Sequence, residues 1–171
     1  KDGPAGIGEV AWPSEMLMSC AFNKSMWYEF GNAVGAECEK EQVDIWLAPA
    51  VNLLRHPLGG RNFEYFSEDP YLTGICACEV TKGVQESQPV LVCPKHFAVN
   101  EQETYRRGSS RKQYDAADSI LSERAAREIY LKPFEMLVKE ADIACLMTSF
   151  NKINGVFAAG NADLCTQILK E

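Results

Sequence analysis

The sequence predicts an α/β fold built around a parallel sheet. Apolar segments of strand length alternate with segments of helical period, the strand segments are apolar at consecutive positions, and a polar cluster follows each of them. Consecutive apolar residues suit strands covered on both faces, as in parallel sheets, whereas a half-exposed strand would alternate. The pattern fits an open sheet and a closed barrel alike.

Taken in order, Met26, Phe30, Ala33 and Val34 recur at the spacing of one helix face between Ser25 and about Gln42. The run Val43-Asp44-Ile45-Trp46-Leu47-Ala48 then reads as a strand ending at Pro49. Asp69-Pro70 supplies a helix cap and a first-turn proline, and Leu72, Ile75, Cys76 and Val80 form the stripe that follows. Gln88-Pro89 breaks the chain before Val90-Leu91-Val92-Cys93, a second strand of the kind buried on both faces, closed by Pro94. Ser119 to Ala141 is helical in composition, with Pro133 either kinking it or starting a new helix. Ile143-Ala144-Cys145-Leu146-Met147 is the third strand, and 163–171 has a helical pattern that runs to the chain end.

The 171 residues, 46% of them hydrophobic, are enough for one domain or part of one, and no linker or repeat divides them. With 17 Lys+Arg against 24 Asp+Glu the chain is acidic, which argues against nucleic acid or an anionic membrane surface as partner. No apolar run is long enough to cross a bilayer, and no leader is visible. Seven scattered cysteines, several within apolar runs, read as reduced core thiols, so a cytoplasmic location is expected. Their spacing matches no structural metal site, and neither a metal nor a cofactor is expected. Both ends read as cut, so a fragment is expected.

Each strand delivers polar groups to one rim: Asn52 to Arg61 after the first, Lys95 to Arg106 after the second, and Thr148 to Asn151 after the third. In α/β barrels chemistry collects at the C-terminal ends of the strands. Arg61, Lys95, His96 and Arg106 would place several donors around one mouth, suiting a ligand rich in hydroxyl oxygens or an anion. Leu58-Gly59-Gly60-Arg61 lacks the glycine spacing of a phosphate loop, which favours a sugar. The plainer readings are salt bridges for Arg61 with Glu64, Glu68 or Asp69 and for Arg106 with Glu101 or Glu103, a structural role for His96, and core positions for Trp12, Trp27, Trp46 and the segment 63–66.

The stretch from Leu47-Ala48-Pro49 through Gly59-Gly60-Arg61-Asn62-Phe63-Glu64 to Ser67-Glu68-Asp69-Pro70 resembles the signature of family 3 glycoside hydrolases. The resemblance continues through Lys95-His96-Phe97-Ala98-Val99-Asn100-Glu101-Gln102-Glu103, 127–135 and Asn151-Lys152-Ile153-Asn154-Gly155, covering essentially the whole chain in family order. It implies that residues 1–171 are part of the N-terminal (β/α)8 barrel of a β-glucosidase-like enzyme whose C-terminal α/β domain is absent. The implied reaction is retaining cleavage of terminal β-linked glucose or xylose, with one carboxylate as nucleophile and a second carboxyl as acid/base.

Asp2, Arg61, Lys95, His96 and Arg106 match the family's sugar-binding positions, with Lys, His and Arg as donors, and Met147 occupies a site-wall position. A Tyr usual three residues after that Met is here Phe150, which lacks the hydroxyl. The family's Ser-Asp-Trp type nucleophile motif occurs nowhere in the chain, so no catalytic residue is assigned, and Glu101 and Glu103 are not offered in its place. The loop Asn100-Glu101-Gln102-Glu103 also differs from that of the N-acetylglucosaminidase branch. Implied partners are a β-glucoside or β-xyloside and either the rest of the same enzyme or further copies of it. The alternative is a non-catalytic sugar-binding or degenerate module.

Overall fold

The computed structural model describes residues 10–109, 111–112 and 114–170. Its elements run α1 (Glu15–Ser19), α2 (Lys24–Lys40), β1 (Ile45–Trp46), a 3-10 turn (Asn62–Glu64), α3 (Pro70–Ser87), β2 (Leu91–Val92), β3 (Lys95–Phe97), β4 (Asp118–Ser119), α4 (Glu123–Ala125), a π-helical turn (Ala126–Tyr130), α5 (Lys132–Glu140), β5 (Met147–Thr148), β6 (Lys152–Ile153), β7 (Val156–Phe157), a second 3-10 turn (Ala158–Gly160) and a π-helical segment (Asp163–Ile168).

Local chemistry accounts for the helix starts. Asn23 accepts from Met26 N at 3.2 Å to begin α2, and Asp69 accepts from Leu72 N at 2.6 Å ahead of Pro70 to begin α3. Trp27, Phe30, Val34 and Cys38 then form the buried face of α2, and Cys76, Ala77, Val80 and Val84 that of α3. Helix α3 lies between α2 and α5, and the three pack on one side of the strands against Trp46, Ala48, Val90 and Val92.

β1 pairs in parallel with β2, and the ladder continues as a bridge between Ala50 and Lys95. β3 in turn pairs in parallel with β5, Lys95 opposite Met147. The result is three adjacent parallel strand segments in chain order with helical crossovers between them, the α/β arrangement expected. Beyond them β6 pairs in parallel with β4 and antiparallel with β7.

Two expectations need correction, a third is resolved in part, and one element was not anticipated. The strands are not buried on both faces: Ile45, Leu47 and Leu91 are 44%, 54% and 46% exposed, because the helices cover only the opposite face and no described residue covers this one. The third strand pairs at Met147–Thr148, at the end of the apolar run 143–147 from which it was read, because Met147 N reaches Pro94 O between β2 and β3. Within 119–141, Ser119 is in a strand rather than a helix and a π-helical turn follows α4, while of the two alternatives for Pro133 the second holds: it lies in the first turn of a new helix, α5, where its missing N–H costs nothing. The β6–β7 hairpin was not anticipated, although Asn154-Gly155 at its turn carries the positive φ values of 48° and 87° that such turns require.

Candidate functional site

The site forms where the C-terminal ends of these strands meet. Arg61 enters from the loop after β1, just ahead of the 3-10 turn, and that loop is closed by Asn62 Nδ2 donating to His56 O at 2.8 Å. Lys95 and His96 stand on β3, and Val51 N donates to Lys95 O at 2.8 Å. Arg106 lies in the loop after β3, and Met147, half-buried, sits opposite Lys95 on β5. The loop after β5 is tied back through Ser149, whose N donates to Phe97 O at 2.7 Å and whose hydroxyl donates to Ala98 O at 2.8 Å. Five of the six residues expected at the site are therefore placed at one strand-end rim. The sixth, Asp2, lies outside the described residues.

Two carboxylates organise the cations. Glu64 accepts from Arg61 Nε through one oxygen and from Lys95 Nζ at 2.9 Å through the other. Glu103 pairs with Arg106 Nε at 3.2 Å and lies 3.7 Å from Arg61 Nη1, while Asn100 Nδ2 donates to it at 3.1 Å. The chain of contacts thus runs Lys95, Glu64, Arg61, Glu103, Arg106. Burial opposes ionisation of Glu64, but the hydrogen bonds and charges of Arg61 and Lys95 outweigh it and hold the carboxyl below its usual range. Burial likewise works against the charge of Arg61, yet Glu64 carries its pKa upward.

His96 is buried, edge-on to Tyr65 with ring centroids 6.4 Å apart. Burial, reinforced by Arg61 and Lys95, pushes its pKa down to about 3, so the ring is neutral at ordinary pH and a poor general base. The salt-bridge reading of the arginines is correct in kind, with partners Glu64 and Glu103 rather than Glu68, Asp69 or Glu101. Trp27, Trp46, Tyr65 and Phe66 are core residues and Trp12 packs edge-on against Phe30, but Phe63 is exposed, so the core reading of the segment 63–66 fails at that residue. Phe150 is exposed, and Arg106 stands over its ring at 5.4 Å, a cation–π contact.

Glu101 is separate from the cation cluster. Leu53 N donates to its Oε1 at 3.1 Å, while its Oε2 is buried with no hydrogen-bond partner among the described residues. Burial pushes its pKa up to about 7. It lines a cavity of about 720 Å³ beside the cluster, with Arg55, Gly60, Glu103, Ser119 and Tyr130.

Sequence reasoning missed Asn52, which is 1% exposed and hydrogen-bonded to the backbone of His96, and it missed the bridging role of Glu103. Asn52 lies 44 residues from its partner, and nothing local in the sequence marks the pair.

Residues 4–171 match the family model described as glycosyl hydrolase family 3 N terminal domain. Among curated relatives, the chain is 44% identical to beta-glucosidase A of Butyrivibrio fibrisolvens over 178 aligned residues, covering 99% of this chain and 20% of that protein. It is 43% identical to an exo-alpha-(1->6)-L-arabinopyranosidase of Bifidobacterium longum, covering 96% and 21%. Among solved structures, beta-glucosidase 3B of Thermotoga neapolitana in complex with alpha-D-glucose superposes with a TM-score of 0.86 at 40% identity, covering 98% of this chain and 23% of that one. A GH3 beta-glucosidase of Bifidobacterium adolescentis gives 0.89 at 40% identity, covering 99% and 24%. The chain spans about a fifth of the length of the curated relatives it matches.

Proposed function

The chain belongs to the glycosyl hydrolase family 3 N-terminal domain family, and from that premise we propose that it supplies the sugar-binding half of the active site of a retaining glycoside hydrolase that releases terminal β-linked glucose or xylose. The carrying observation is the cluster Lys95–Glu64–Arg61–Glu103–Arg106 at the strand ends. Three cations are offset by two carboxylates, so the rim offers many N–H donors with little surplus charge. A neutral polyol matches such a surface better than a phosphate, which would need the cations unpaired.

In this reading the N–H groups of Lys95, Arg61 and Arg106 that the glutamates leave free donate to sugar oxygens, Asp2 accepts from hydroxyls, and Met147 packs beside the ring. The nucleophile and the acid/base come from parts of a longer protein beyond this chain, the acid/base from a C-terminal α/β domain. The Bifidobacterium longum relative adds an α-L-arabinopyranoside to the substrates worth testing.

The test is hydrolysis of aryl β-glucoside, β-xyloside and α-L-arabinopyranoside by the full-length protein that contains this segment. Turnover of at least one is expected, with Lys95→Ala lowering kcat/KM by roughly 10- to 100-fold through loss of charge-assisted hydrogen bonds. Absence of turnover on all three would sink the hydrolase reading. A second reading, sugar binding without catalysis, is favoured by Phe150, which lacks the hydroxyl of the Tyr usual at that place. Measurable glucose binding without turnover would select it.

A further inference from the structure

Asn52, in the segment after β1, and His96, on β3, are joined by three contacts. His96 N donates to Asn52 Oδ1 at 2.9 Å, Asn52 Nδ2 donates to His96 O at 3.1 Å, and His96 Nδ1 lies 3.1 Å from the same Oδ1. The first two leave no freedom, because a main-chain N–H only donates and a carbonyl only accepts, so the Asn52 amide has one orientation. Its oxygen is then what faces Nδ1, and an oxygen makes a favourable contact with that ring nitrogen only when the nitrogen carries a proton. In a neutral ring the proton therefore sits on Nδ1, and Nε2 keeps its lone pair.

The surroundings hold the ring neutral. Arg61 from the loop after β1, Lys95 from the same strand and Arg106 from the following loop all oppose a further positive charge, Glu64 alone favours it, and Tyr65 stands edge-on to the ring. No described residue makes a hydrogen bond to Nε2.

We infer that Asn52 is a positioning residue that makes His96 a hydrogen-bond acceptor of the sugar site, so that one sugar hydroxyl is read as a donor beside Lys95, Arg61 and Arg106, which only donate. This corrects the expectation that His96 donates alongside Lys95 and the arginines. It rests on the sugar-binding reading above and sharpens it. Lysine and arginine accept any oxygen or fluorine at their positions, whereas a lone pair on Nε2 demands a hydroxyl proton.

The test is competitive inhibition of the full-length protein by glucose and by its mono-deoxy and mono-deoxyfluoro analogues, measured as binding so that the electronic effect of fluorine on the reaction does not intrude. At the ring position read by His96, as at any read by Asp2, fluorine and hydrogen are expected to weaken inhibition equally, each by about tenfold or more, and in Asp2→Ala the equal loss is expected to persist at the His96 position alone. At positions read by Lys95 or the arginines, fluorine is expected to do better than hydrogen. Asn52→Asp keeps an acceptor for His96 N, loses the donor to His96 O, brings a carboxylate near Glu101 and sets one against Nδ1, favouring the doubly protonated ring. In that variant fluorine recovers relative to hydrogen at the same position.

The comparison of wild type with Asp2→Ala stands if Asn52→Asp fails to fold. Fluorine outperforming hydrogen at every position would overturn the assignment of His96 as acceptor. A folded Asn52→Asp protein that merely binds more weakly, with the fluorine-to-hydrogen ratio unchanged, would overturn the positioning role. Failure of glucose itself to inhibit, together with absence of turnover, would instead remove the sugar reading on which the inference stands.

Discussion

Glu64 is the residue on which the site turns, since both of its oxygens are committed to cations that the proposed reaction needs. Glu64→Gln keeps the shape but leaves Arg61 and Lys95 to repel each other, and an about 10- to 100-fold fall in kcat/KM of the full-length protein is expected, mostly in KM. Because its folded pKa is lowered, the stability Glu64 contributes is complete above the ordinary carboxylate range and is lost only as pH falls through the folded value. Glu64→Gln should therefore flatten the acid side of the stability profile, and an unchanged acid limb in thermal melts would count against the bridge. Glu101 has the opposite sign. Its carboxyl titrates near 7, so there is no penalty below about pH 4, and the cost grows as pH rises to about 7. Glu101→Gln, which can still accept from Leu53 N, should raise stability by about 3 kcal/mol at pH 8 and change little at pH 4. Thermal unfolding at the two pH values checks this, and an equal shift at both would refute it. The cations of the site were legible in the sequence because charged residues after apolar strands stand out. Asn52 and the Glu103 bridge were not, since each acquires its meaning only from a partner that the fold brings near.

At the scale of elements, α2 and α3 meet backbone to backbone. A Cβ on Gly31 would sit 2.1 Å from Val80 O, and one on Gly83 would sit 2.1 Å from Tyr28 O, so neither helix tolerates a side chain at the crossing. Gly83→Ala gains helix propensity but forces the helices apart, and a net loss of about 1–3 kcal/mol is expected, read as a lower melting temperature or loss of soluble protein. A melting temperature equal to wild type would show that the crossing yields at little cost. The helices themselves were readable because their apolar residues keep a period near 3.6 and Asp69-Pro70 marks the start of α3, whereas the cap at Asn23 emerges only in the structure. The strands were readable as apolar runs but not in their pairing limits, which are set by neighbours such as Pro94 and Met147 that no local pattern joins. Between 119 and 141 composition pointed to helix, with Pro133 as either a kink or a restart. The observed break follows from a backbone bond of longer reach, Leu131 N to Ala126 O at 2.8 Å, and from Pro133 restarting the helix.

For the whole molecule the telling feature is one-sided burial of the parallel strands. Trp46, Ala48, Val90 and Val92 are sealed under α2, α3 and α5, while Ile45, Leu47 and Leu91 on the other face are about half-exposed. Among the described residues β1 pairs only with β2, so an edge lies beside this apolar face. An open edge next to exposed leucine and isoleucine is the arrangement that natural sheets guard against. The isolated 171-residue chain is therefore expected to associate with itself and to bind a dye specific for exposed apolar surface, both measurable by sedimentation velocity and fluorescence. Leu91→Lys separates the two settings of this face. In the isolated chain it puts a charge on an exposed surface, removes a sticky contact and should shift the population toward monomer. In the full-length protein, where the same face is expected to be covered, the substitution forfeits about 1.5–3 kcal/mol of leucine burial and adds the cost of burying a charge, so it should abolish folding or activity. Opposite signs in the two settings would locate this face inside the complete molecule. A monodisperse, cooperatively melting monomer from the isolated chain, or a full-length Leu91→Lys protein of normal stability, would mean that these strands are finished as they stand.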